Sequence, residues 1–342
     1  MTKVSICLPN LNTKRFLEER FESILSQTFI DWECVVVDNY SEDGAWELIK
    51  SYAQKDSRIK ISQAPRDPRG MYPNWNNCLR LAKGDLIYIA TSDDTMTPDC
   101  LEKMVTALDE HPECGLCQCA LEIIDENSNP HPLQWLQFTL GSFAPEWVLH
   151  RHIRPAPVDG ILHCSLITIY TSITQLLIRK SIFDKYGFFE THWGSVADFE
   201  WGMRVGLLES CIYIPDVLAT WRIHPEQATG NTATVHARMQ ILHMARVALT
   251  KACQFNPELI KLLPRPHKLF AFYEEQVIEL GLKATHGRRA KIRFMLGQIM
   301  QGNRSAFLYL LRIKTRYSIG LYSQYHRLRS LIADFDDILG KV

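Results

Sequence analysis

The chain has 342 residues, 46% of them apolar, and its 38 Lys and Arg are balanced by 38 Asp and Glu. The length exceeds one typical domain, and the apolar content is enough for a sizeable core. The sequence shows no run of about 18 apolar residues and no signal-peptide pattern, so we expect neither a spanning helix nor a secreted protein. The ten cysteines lack the spacing of a small disulfide framework, which indicates reduced thiols and a cytoplasmic location.

Strands and helices alternate through the first 125 residues. The strand patterns cover Val4–Leu8, Val35–Val37, Ile59–Ile61 and Leu86–Ala90. Helical patterns separate them over residues 15–27, 45–53 and 72–82, and Pro98 opens a fourth helix. This order predicts an α/β fold with a mostly parallel sheet, flanked by helices and joined by right-handed crossovers.

Two of these strands end in carboxylates. Val35–Val37 runs into Asp38, and Leu86–Ala90 runs into Asp93 and Asp94. Carboxylates that follow buried strands are costly unless they meet a cation or a polar ligand, and open α/β sheets bind ligands at the carboxyl ends of their strands. This placement predicts a nucleotide site with a divalent metal.

The alternation stops after residue 125. Prolines punctuate residues 129–157, which predicts a long irregular loop of the kind that forms lids or binding loops. Regular structure resumes with Leu166–Ile178, which is rich in Ile and Thr, and a helix at Asp198–Leu208 and a strand at Cys211–Ile214 follow. After Val235 only helical periodicity remains.

A group of cysteines raises a second metal hypothesis. Cys114, Cys117 and Cys119, with His111 nearby, are residue types that zinc prefers. The same cysteines lie in an apolar strand pattern, and buried free cysteine is common in protein cores. We favour the strand.

Seven short blocks follow one another along residues 3–228. They are Val4–Asn10; Ser23–Thr28; Val35–Gly44; Gly70 and Asn76 with Ala82–Asp85; Asp93–Asp94 with Pro98–Asp99; Ala197–Trp201 with Arg204; and Trp221–His224. Together they resemble glycosyltransferase family 2, the inverting nucleotide-sugar enzymes with the GT-A fold. The resemblance implies a GT-A type, Rossmann-like sheet. It also implies a division into a nucleotide-sugar-binding half (1–125), an acceptor-binding and catalytic half (126–234) and a basic helical extension (235–342).

The resemblance implies a site for Mg²⁺ or Mn²⁺, which would neutralise the departing diphosphate. Asp93 is the implied ligand, with Asp94 beside it and His224 as a further ligand. The family often has another Asp two positions before Asp93, and this chain has Thr91 there. The alternative is an exposed carboxylate pair that caps the next helix.

The resemblance also implies the donor contacts. Asp38 would accept a hydrogen bond from the ring N–H of the base, as the family does with uracil, so UDP is the expected carrier. The alternative role of Asp38 is to cap the following turn. The other implied nucleotide-binding residues are Pro9, Asp43, Gly70, Asn76, Ser92, Asp93 and Arg222.

By the same resemblance, Asp198 is the general base that deprotonates the acceptor hydroxyl. It begins a predicted helix, whose dipole would favour the carboxylate form. The alternative is that Asp198 caps this helix, and the two roles are compatible. Glu200, two residues later, is a secondary candidate that points elsewhere on the helix.

The neutral net charge conceals two oppositely charged parts. Residues 235–342 carry 18 Lys and Arg against 7 Asp and Glu, whereas residues 1–234 carry 20 against 31. Basic helices with bulky apolar residues can lie at an anionic membrane surface. The alternative is that they pack on the catalytic part. No nucleic-acid-binding motif accompanies the charge, so we expect no nucleic acid partner.

The sequence therefore predicts a metal-dependent inverting glycosyltransferase of surface polysaccharide synthesis. It would be cytoplasmic or peripheral at the inner face of the plasma membrane, with a nucleotide-sugar donor and a glycan or lipid-linked acceptor. The alternative is a non-catalytic nucleotide-sugar or glycan-binding protein on the same fold. A nucleotidyltransferase or a dinucleotide-binding dehydrogenase would need a Gly-rich turn after the first strand, where this chain has Pro9-Asn10-Leu11-Asn12.

Overall fold

The computed structural model describes residues 2–133, 145–165, 169–227, 234–263 and 269–306. It contains one eight-stranded sheet. The strands are β1 (Val4–Asn10), β2 (Trp32–Asp38), β3 (Ile59–Gln63), β4 (Leu86–Ile89), β5 (Cys114–Ile124), β6 (His152–Arg154), β7 (Leu176–Arg179) and β8 (Ser210–Arg222). Their order across the sheet is β3-β2-β1-β4-β7-β5-β8-β6.

Eleven helices are seen in the described ranges. They are α1 (Lys14–Leu25), α2 (Ala45–Lys55), α3 (Tyr72–Leu81), α4 (Cys100–Glu110), α5 (Val158–Ser165), α6 (Lys180–Tyr186), α7 (Ala197–Gly206), α8 (Val235–Phe255), α9 (Leu259–Leu262), α10 (Ala271–Ala284) and α11 (Arg288–Met300). Short 3-10 turns lie at Pro145–Val148, Ile173–Gln175 and Thr191–Val196. The predicted α/β class with a helical C-terminal part is confirmed.

Parallel pairing dominates the sheet. β1 pairs in parallel with both β2 and β4, β2 with β3, and β5 with β8. β7 is antiparallel to β4 and β5, and β6 is antiparallel to β8. Because β1 lies between β2 and β4, the carboxyl ends of all three strands meet at one edge of the sheet.

The second half of the chain departs from its predicted pattern. Within the Ile- and Thr-rich segment Leu166–Ile178, a 3-10 turn covers Ile173–Gln175 and β7 begins at Leu176, whereas residues 166–168 lie outside the described ranges. The predicted irregular loop contains the short strand β6, which pairs at the edge of the sheet. Residues 134–144 of that loop are outside the described part.

The cysteine cluster is part of the core. Cys114, Cys117 and Cys119 are buried in β5. Within the described residues, no three His, Cys, Asp or Glu side chains are grouped so that they could hold a metal ion. The strand interpretation is therefore confirmed, and the zinc alternative has no support there.

The first helices after Val235 pack on the part of the chain that contains the sheet. α8 contacts α7 and α10, and the main hydrophobic core continues through Ile241 to Val277. α11 is attached more lightly, with only Met295 and Gln298 buried. None of the helices in the described ranges combines the length and apolarity that crossing a bilayer requires.

Candidate active site

Asp38 ends β2 as a fully buried carboxylate. Its Oδ1 accepts hydrogen bonds from Asn10 Nδ2 at 2.7 Å and from the Ser41 hydroxyl at 2.6 Å. Its Oδ2 accepts from the Ser41 backbone N–H at 3.0 Å and from Gln63 Nε2 at 3.2 Å. Burial acts to raise the pKa of Asp38, but the hydrogen bonds from Ser41, Asn10 and Gln63 outweigh it and hold that pKa below its usual value. Asp38 therefore shapes the turn that follows it, and its longest hydrogen bond is the one from Gln63.

Two predicted nucleotide residues lie next to Asp38. Pro9 is buried in β1, paired in register with Val37 of β2. Asp43 accepts hydrogen bonds from the backbone N–H of Lys14 at 2.8 Å and of Ala45 at 3.0 Å. Asp43 thus satisfies N–H groups at the starts of α1 and α2, which is a loop-shaping role.

Two others lie at α3. Gly70, in the turn before α3, has a φ of 103°, a left-handed value that favours glycine. Asn76 is buried in α3, where its amide donates to the Phe189 carbonyl at 2.9 Å and accepts from the Phe189 N–H at 3.2 Å. Asn76 therefore ties α3 to the chain that leads from α6 to α7.

Asp94 faces the protein interior. It is buried, and its carboxylate accepts hydrogen bonds from the Arg222 backbone N–H at 2.8 Å, from the Ser172 hydroxyl at 3.4 Å and from the Thr91 hydroxyl. Burial, with repulsion from Asp93, raises the pKa of Asp94 to about 7. Asp94 anchors the loop after β4. Neither carboxylate caps the next helix, because α4 begins at Cys100 with Asp99 as its N-cap.

Asp93 is the more open of the two acids. Its side chain is 26% exposed, and its Oδ2 lies 3.1 Å from Nε2 of His224. Nδ1 of His224 lies 3.3 Å from a guanidinium nitrogen of Arg15. Arginine can only donate, so Nδ1 accepts and the ring proton is assigned to Nε2, which donates to Asp93. Ser92, just before Asp93, is buried.

Arg222 lies beneath this loop. Its Nε donates to the Asp93 carbonyl at 2.6 Å, and its other nitrogens donate to the Asp125 carbonyl at 3.1 Å, to the Ser128 hydroxyl at 2.8 Å and to Glu19 at 2.7 Å. Its side chain is 1% exposed. Arg222, predicted to bind the nucleotide, is thus engaged by protein groups and fixes the position of the Asp93 backbone.

Asp198 lies in the first turn of α7 and is partly buried. Its Oδ1 accepts the Phe199 N–H at 3.0 Å. Burial raises the pKa of Asp198 above its usual value, although hydrogen bonds from Tyr72 and Phe199 act to lower it. The N-cap of α7 is Val196, so the capping alternative is wrong. The expected preference for the carboxylate at a helix start is outweighed by burial.

Helix α3 connects Asp198 to strand β2, which ends in Asp38. Tyr72, at its first residue, reaches Asp198, and Asn74 Nδ2 donates to the Val37 carbonyl of β2 at 2.8 Å. The predicted residues therefore form two contacting groups, one around Asp93 and His224 and one around Asp38 and Asp198. Strand β1 lies between the two.

The Asp93–His224 pair fits a divalent ion. Two neighbouring ligands of an octahedral ion, each about 2.1 Å from it, are about 3 Å apart, and Asp93 Oδ2 and His224 Nε2 are separated by 3.1 Å. Mg²⁺ is usually bound by only one or two protein ligands together with phosphate oxygens of the substrate. Asp94, whose oxygens face three protein donors, has no such opening.

Comparison with known proteins identifies the family. The family model described as glycosyl transferase family 2 matches residues 5–187, which is more than half of the chain. The chain belongs to this family. Family membership confirms the resemblance that the seven sequence blocks indicated.

Individual relatives agree with this assignment. EpsE of Bacillus subtilis, a putative glycosyltransferase, is 37% identical over 125 residues, which cover 36% of this chain and 45% of EpsE. The chain thus matches less than half the length of that relative. Among solved structures, Staphylococcus aureus TarS 1–349 in complex with UDP aligns with a TM-score of 0.59 at 16% identity, over 97% of this chain and 91% of TarS 1–349.

A second solved structure shares the fold. The mannosyltransferase PcManGT of Pyrobaculum calidifontis, in complex with GDP-Man and Mn²⁺, aligns with a TM-score of 0.50 at 16% identity. The alignment covers 99% of this chain and 88% of that protein. At these identities the two solved structures show the shared fold.

Sequence reasoning missed several residues that contact the predicted site residues. Arg15 and Glu19 of α1 contact His224 and Arg222, and Tyr72 contacts Asp198. Arg15 carried a usable signal, because it and Lys14 are two cations at the start of a helix where the dipole disfavours them. Glu19 and Tyr72 gave none, since their partners are far away in the chain.

Proposed function

We propose that the chain is a metal-dependent inverting glycosyltransferase of surface polysaccharide synthesis. It would move a sugar from a nucleotide-sugar donor to a hydroxyl of a glycan or lipid-linked acceptor. One observation carries the proposal: β1 separates the strand that ends in Asp38 from the strand that leads to Asp93, so both carboxylates lie at one sheet edge. TarS, named a poly(ribitol-phosphate) β-N-acetylglucosaminyltransferase, is 29% identical over 113 residues, and its name supports a role in polymer assembly.

Asp38 would read the base. Its carboxylate is an acceptor that suits a ring N–H, which uracil and guanine both offer beside a carbonyl, and cytosine does not. The 3.2 Å hydrogen bond from Gln63 is the one most easily given up to the base. The UDP complex of TarS favours UDP as the carrier, with GDP as the alternative that PcManGT exemplifies.

Asp93 and His224 would hold Mg²⁺ or Mn²⁺. The bound ion supplies charge neutralisation for the departing diphosphate. His224 would bind through Nε2, which requires the ring proton to move to Nδ1 and therefore requires Arg15 to release Nδ1. Asp94 and Arg222 hold the Asp93 loop in place from behind.

Asp198 would accept the acceptor's proton. Its raised pKa makes the carboxylate a stronger base than an ordinary Asp. Tyr72 orients the carboxylate from α3. The deprotonated hydroxyl then attacks the anomeric carbon in line with the leaving diphosphate, which inverts the configuration there.

Asp93 gives the direct test of the nucleotide and metal site. We expect UDP with Mn²⁺ at about 100 times its Kd to raise the Tm of the wild type on the order of 5 °C. Asp93→Asn should lose the part of this shift that depends on Mn²⁺, because the amide is a poorer ligand. Asp184→Asn, at an exposed surface position, is the matched control and should behave as the wild type does. Absence of any shift with UDP, GDP or dTDP and their sugars in the presence of Mn²⁺ would overturn the proposal.

We also infer that α11 contacts an anionic membrane, which fits a lipid-linked acceptor. Phe294 of α11 packs so closely on Gly281 of α10 that a Cβ there would lie 1.9 Å from the ring, which fixes the orientation of the helix. The opposite face exposes Ile292, Leu296 and Met300. The exposed basic residues of α11 are Arg288, Arg289, Lys291 and Arg293. A basic helix with an exposed apolar stripe suits the interface of an anionic bilayer.

Flotation with liposomes that contain anionic lipid tests this contact. Each basic residue near such a surface contributes about 1 kcal/mol, so Arg289→Gln with Arg293→Gln should weaken partition roughly 30-fold. Lys60→Gln with Lys83→Gln removes the same charge from exposed positions elsewhere and should leave partition unchanged. Equal flotation of the two double variants and the wild type would show that α11 only packs on the protein.

A further inference from the structure

The first turn of α1 lies between the two halves of the proposed donor site. On one side the Lys14 backbone N–H donates to Asp43 at 2.8 Å, in the loop that follows Asp38. On the other side the Arg15 guanidinium donates to Nδ1 of His224 at 3.3 Å, and Nε2 of the same ring contacts Asp93. A nucleotide with its base at Asp38 and its metal at Asp93 must therefore lay its diphosphate across this turn.

Of the two arginines at the metal side, only Arg15 has free donors. Arg222 is 1% exposed and donates to four protein oxygens. Arg15 is 45% exposed, and its contacts are one nitrogen of His224 and one oxygen of Glu226 at 3.2 Å. A guanidinium has five N–H donors, so several remain for an anion.

Packing fixes where the Arg15 guanidinium lies. Its central carbon is 4.4 Å from the centre of the Phe16 ring, and Phe16 also contacts the ring of His224. A guanidinium held over an aromatic ring loses less freedom when it binds a ligand than a free one does. The Arg15 guanidinium thus lies beside Asp93 and His224, and part of its N–H edge is free to bind an anion.

The partner of Arg15 in this structure is a weak one. The Glu226 side chain is 73% exposed, and a pair between exposed side chains contributes little. A carboxylate and a phosphate present similar oxygens to a guanidinium. Glu226 therefore stands where phosphate oxygens would compete for Arg15.

We propose that Arg15 binds the diphosphate of the donor and exchanges Glu226 for it when the nucleotide enters. This assignment rests on the proposed function and adds a residue to its site. Lys14, exposed beside Arg15, adds a second positive charge at the same turn.

Opposite effects of two substitutions test the assignment by calorimetry with UDP and Mn²⁺. Arg15→Gln should weaken UDP binding about 10- to 100-fold, because a charge-assisted, forked contact is lost. Glu226→Gln should tighten it, by up to about 5-fold, because a competitor for Arg15 is removed. Uridine, which lacks phosphate, should bind both variants as it binds the wild type when followed by NMR.

The matched control is Arg151→Gln, which breaks a surface Arg–Glu pair of similar exposure with Glu110 and should leave UDP affinity unchanged. Equal UDP affinity of wild type and Arg15→Gln would overturn the role of Arg15 and leave the proposed function standing. Weaker UDP binding in both Arg15→Gln and Glu226→Gln would mean that the ion pair itself matters, and would also overturn it. Failure of the wild type to bind UDP, GDP or dTDP with Mn²⁺ would overturn the proposed function and this assignment together.

Discussion

Replacing Asp198 with Asn is expected to lower kcat by about 10²- to 10⁴-fold, the usual contribution of a general base. The side chains are nearly the same size, and the Asn oxygen can still accept the Phe199 N–H that Oδ1 accepts at 3.0 Å. The Kd for UDP with Mn²⁺ should therefore stay within about twofold of the wild-type value. Transfer assays and calorimetry on the same preparations measure the two quantities.

Stability gives this substitution a second readout. Burial raises the pKa of Asp198 above its value in an unfolded chain, so the folded state binds the proton more tightly. Above that raised pKa the ionised carboxylate lowers the free energy of unfolding; the penalty shrinks as the pH falls below it and vanishes below the pKa of Asp in the unfolded chain. Asp198→Asn should accordingly have a Tm at neutral pH equal to or above that of the wild type.

The pH dependence follows from the same shift. The base works as the carboxylate, so kcat/KM should fall as the pH drops through the raised pKa of Asp198, at a higher pH than an ordinary Asp would give. Unchanged transfer by Asp198→Asn would remove Asp198 from the mechanism. Donor binding by the wild type without transfer to any acceptor would instead favour the non-catalytic alternative.

The nucleotide side of the fold was predictable from the sequence because its signals are local. Each strand of the first 90 residues is a short apolar run, each helix is a periodic stretch beside it, and Asp38 and Asp93 follow strands directly. A parallel sheet places the ends of neighbouring strands together, so the strand ends alone predicted that Asp38 and Asp93 lie at one edge of the sheet. The family assignment is confirmed on the same region.

The roles of Arg222 and Asp94 depend on contacts that no local pattern encodes. Arg222 meets Glu19 across 203 positions of the chain, and its backbone N–H meets Asp94 across 128. In the sequence, an arginine near a strand end is compatible with binding phosphate and with hydrogen bonding to buried protein groups. Only its contacts in the folded protein distinguish the two roles. The position of β7, antiparallel between β4 and β5, likewise depends on tertiary packing and not on a local sequence pattern.

The basic extension contains helices that differ in how they pack, a difference that the total charge of residues 235–342 does not reveal. α8 and α10 bury apolar faces against the catalytic part, as the packing alternative expected. α11 keeps its basic residues exposed, which both the membrane hypothesis and the packing alternative with solvated basic faces allow. The basic residues after Ala306 lie outside the described ranges. Composition averages over helices, whereas burial is a property of each helix face, so sequence charge alone could not separate the two.

The second large effect is expected at the buried ion pair of α7. Glu200 and Arg204 are both buried, and Nε of Arg204 donates to Oε1 of Glu200 at 2.7 Å while a second nitrogen donates to Oε2 at 3.0 Å. Arg204 also donates to the carbonyls of Tyr186 and Phe188, which joins α7 to the chain after α6. Glu200 is thus a structural residue of the helix that carries Asp198.

Arg204→Met should lower the free energy of unfolding by about 3–5 kcal/mol, because it leaves Glu200 as an uncompensated buried charge. Urea unfolding followed by circular dichroism measures the loss. The double variant Glu200→Leu with Arg204→Met removes both charges and should regain much of it, short of the two carbonyls that stay unpaired. Arg151→Met, at the exposed pair with Glu110, is the control and should change stability by less than about 1 kcal/mol. A double variant no more stable than Arg204→Met would mean that the carbonyl contacts, rather than the stranded Glu200 charge, hold α7 and its base in place.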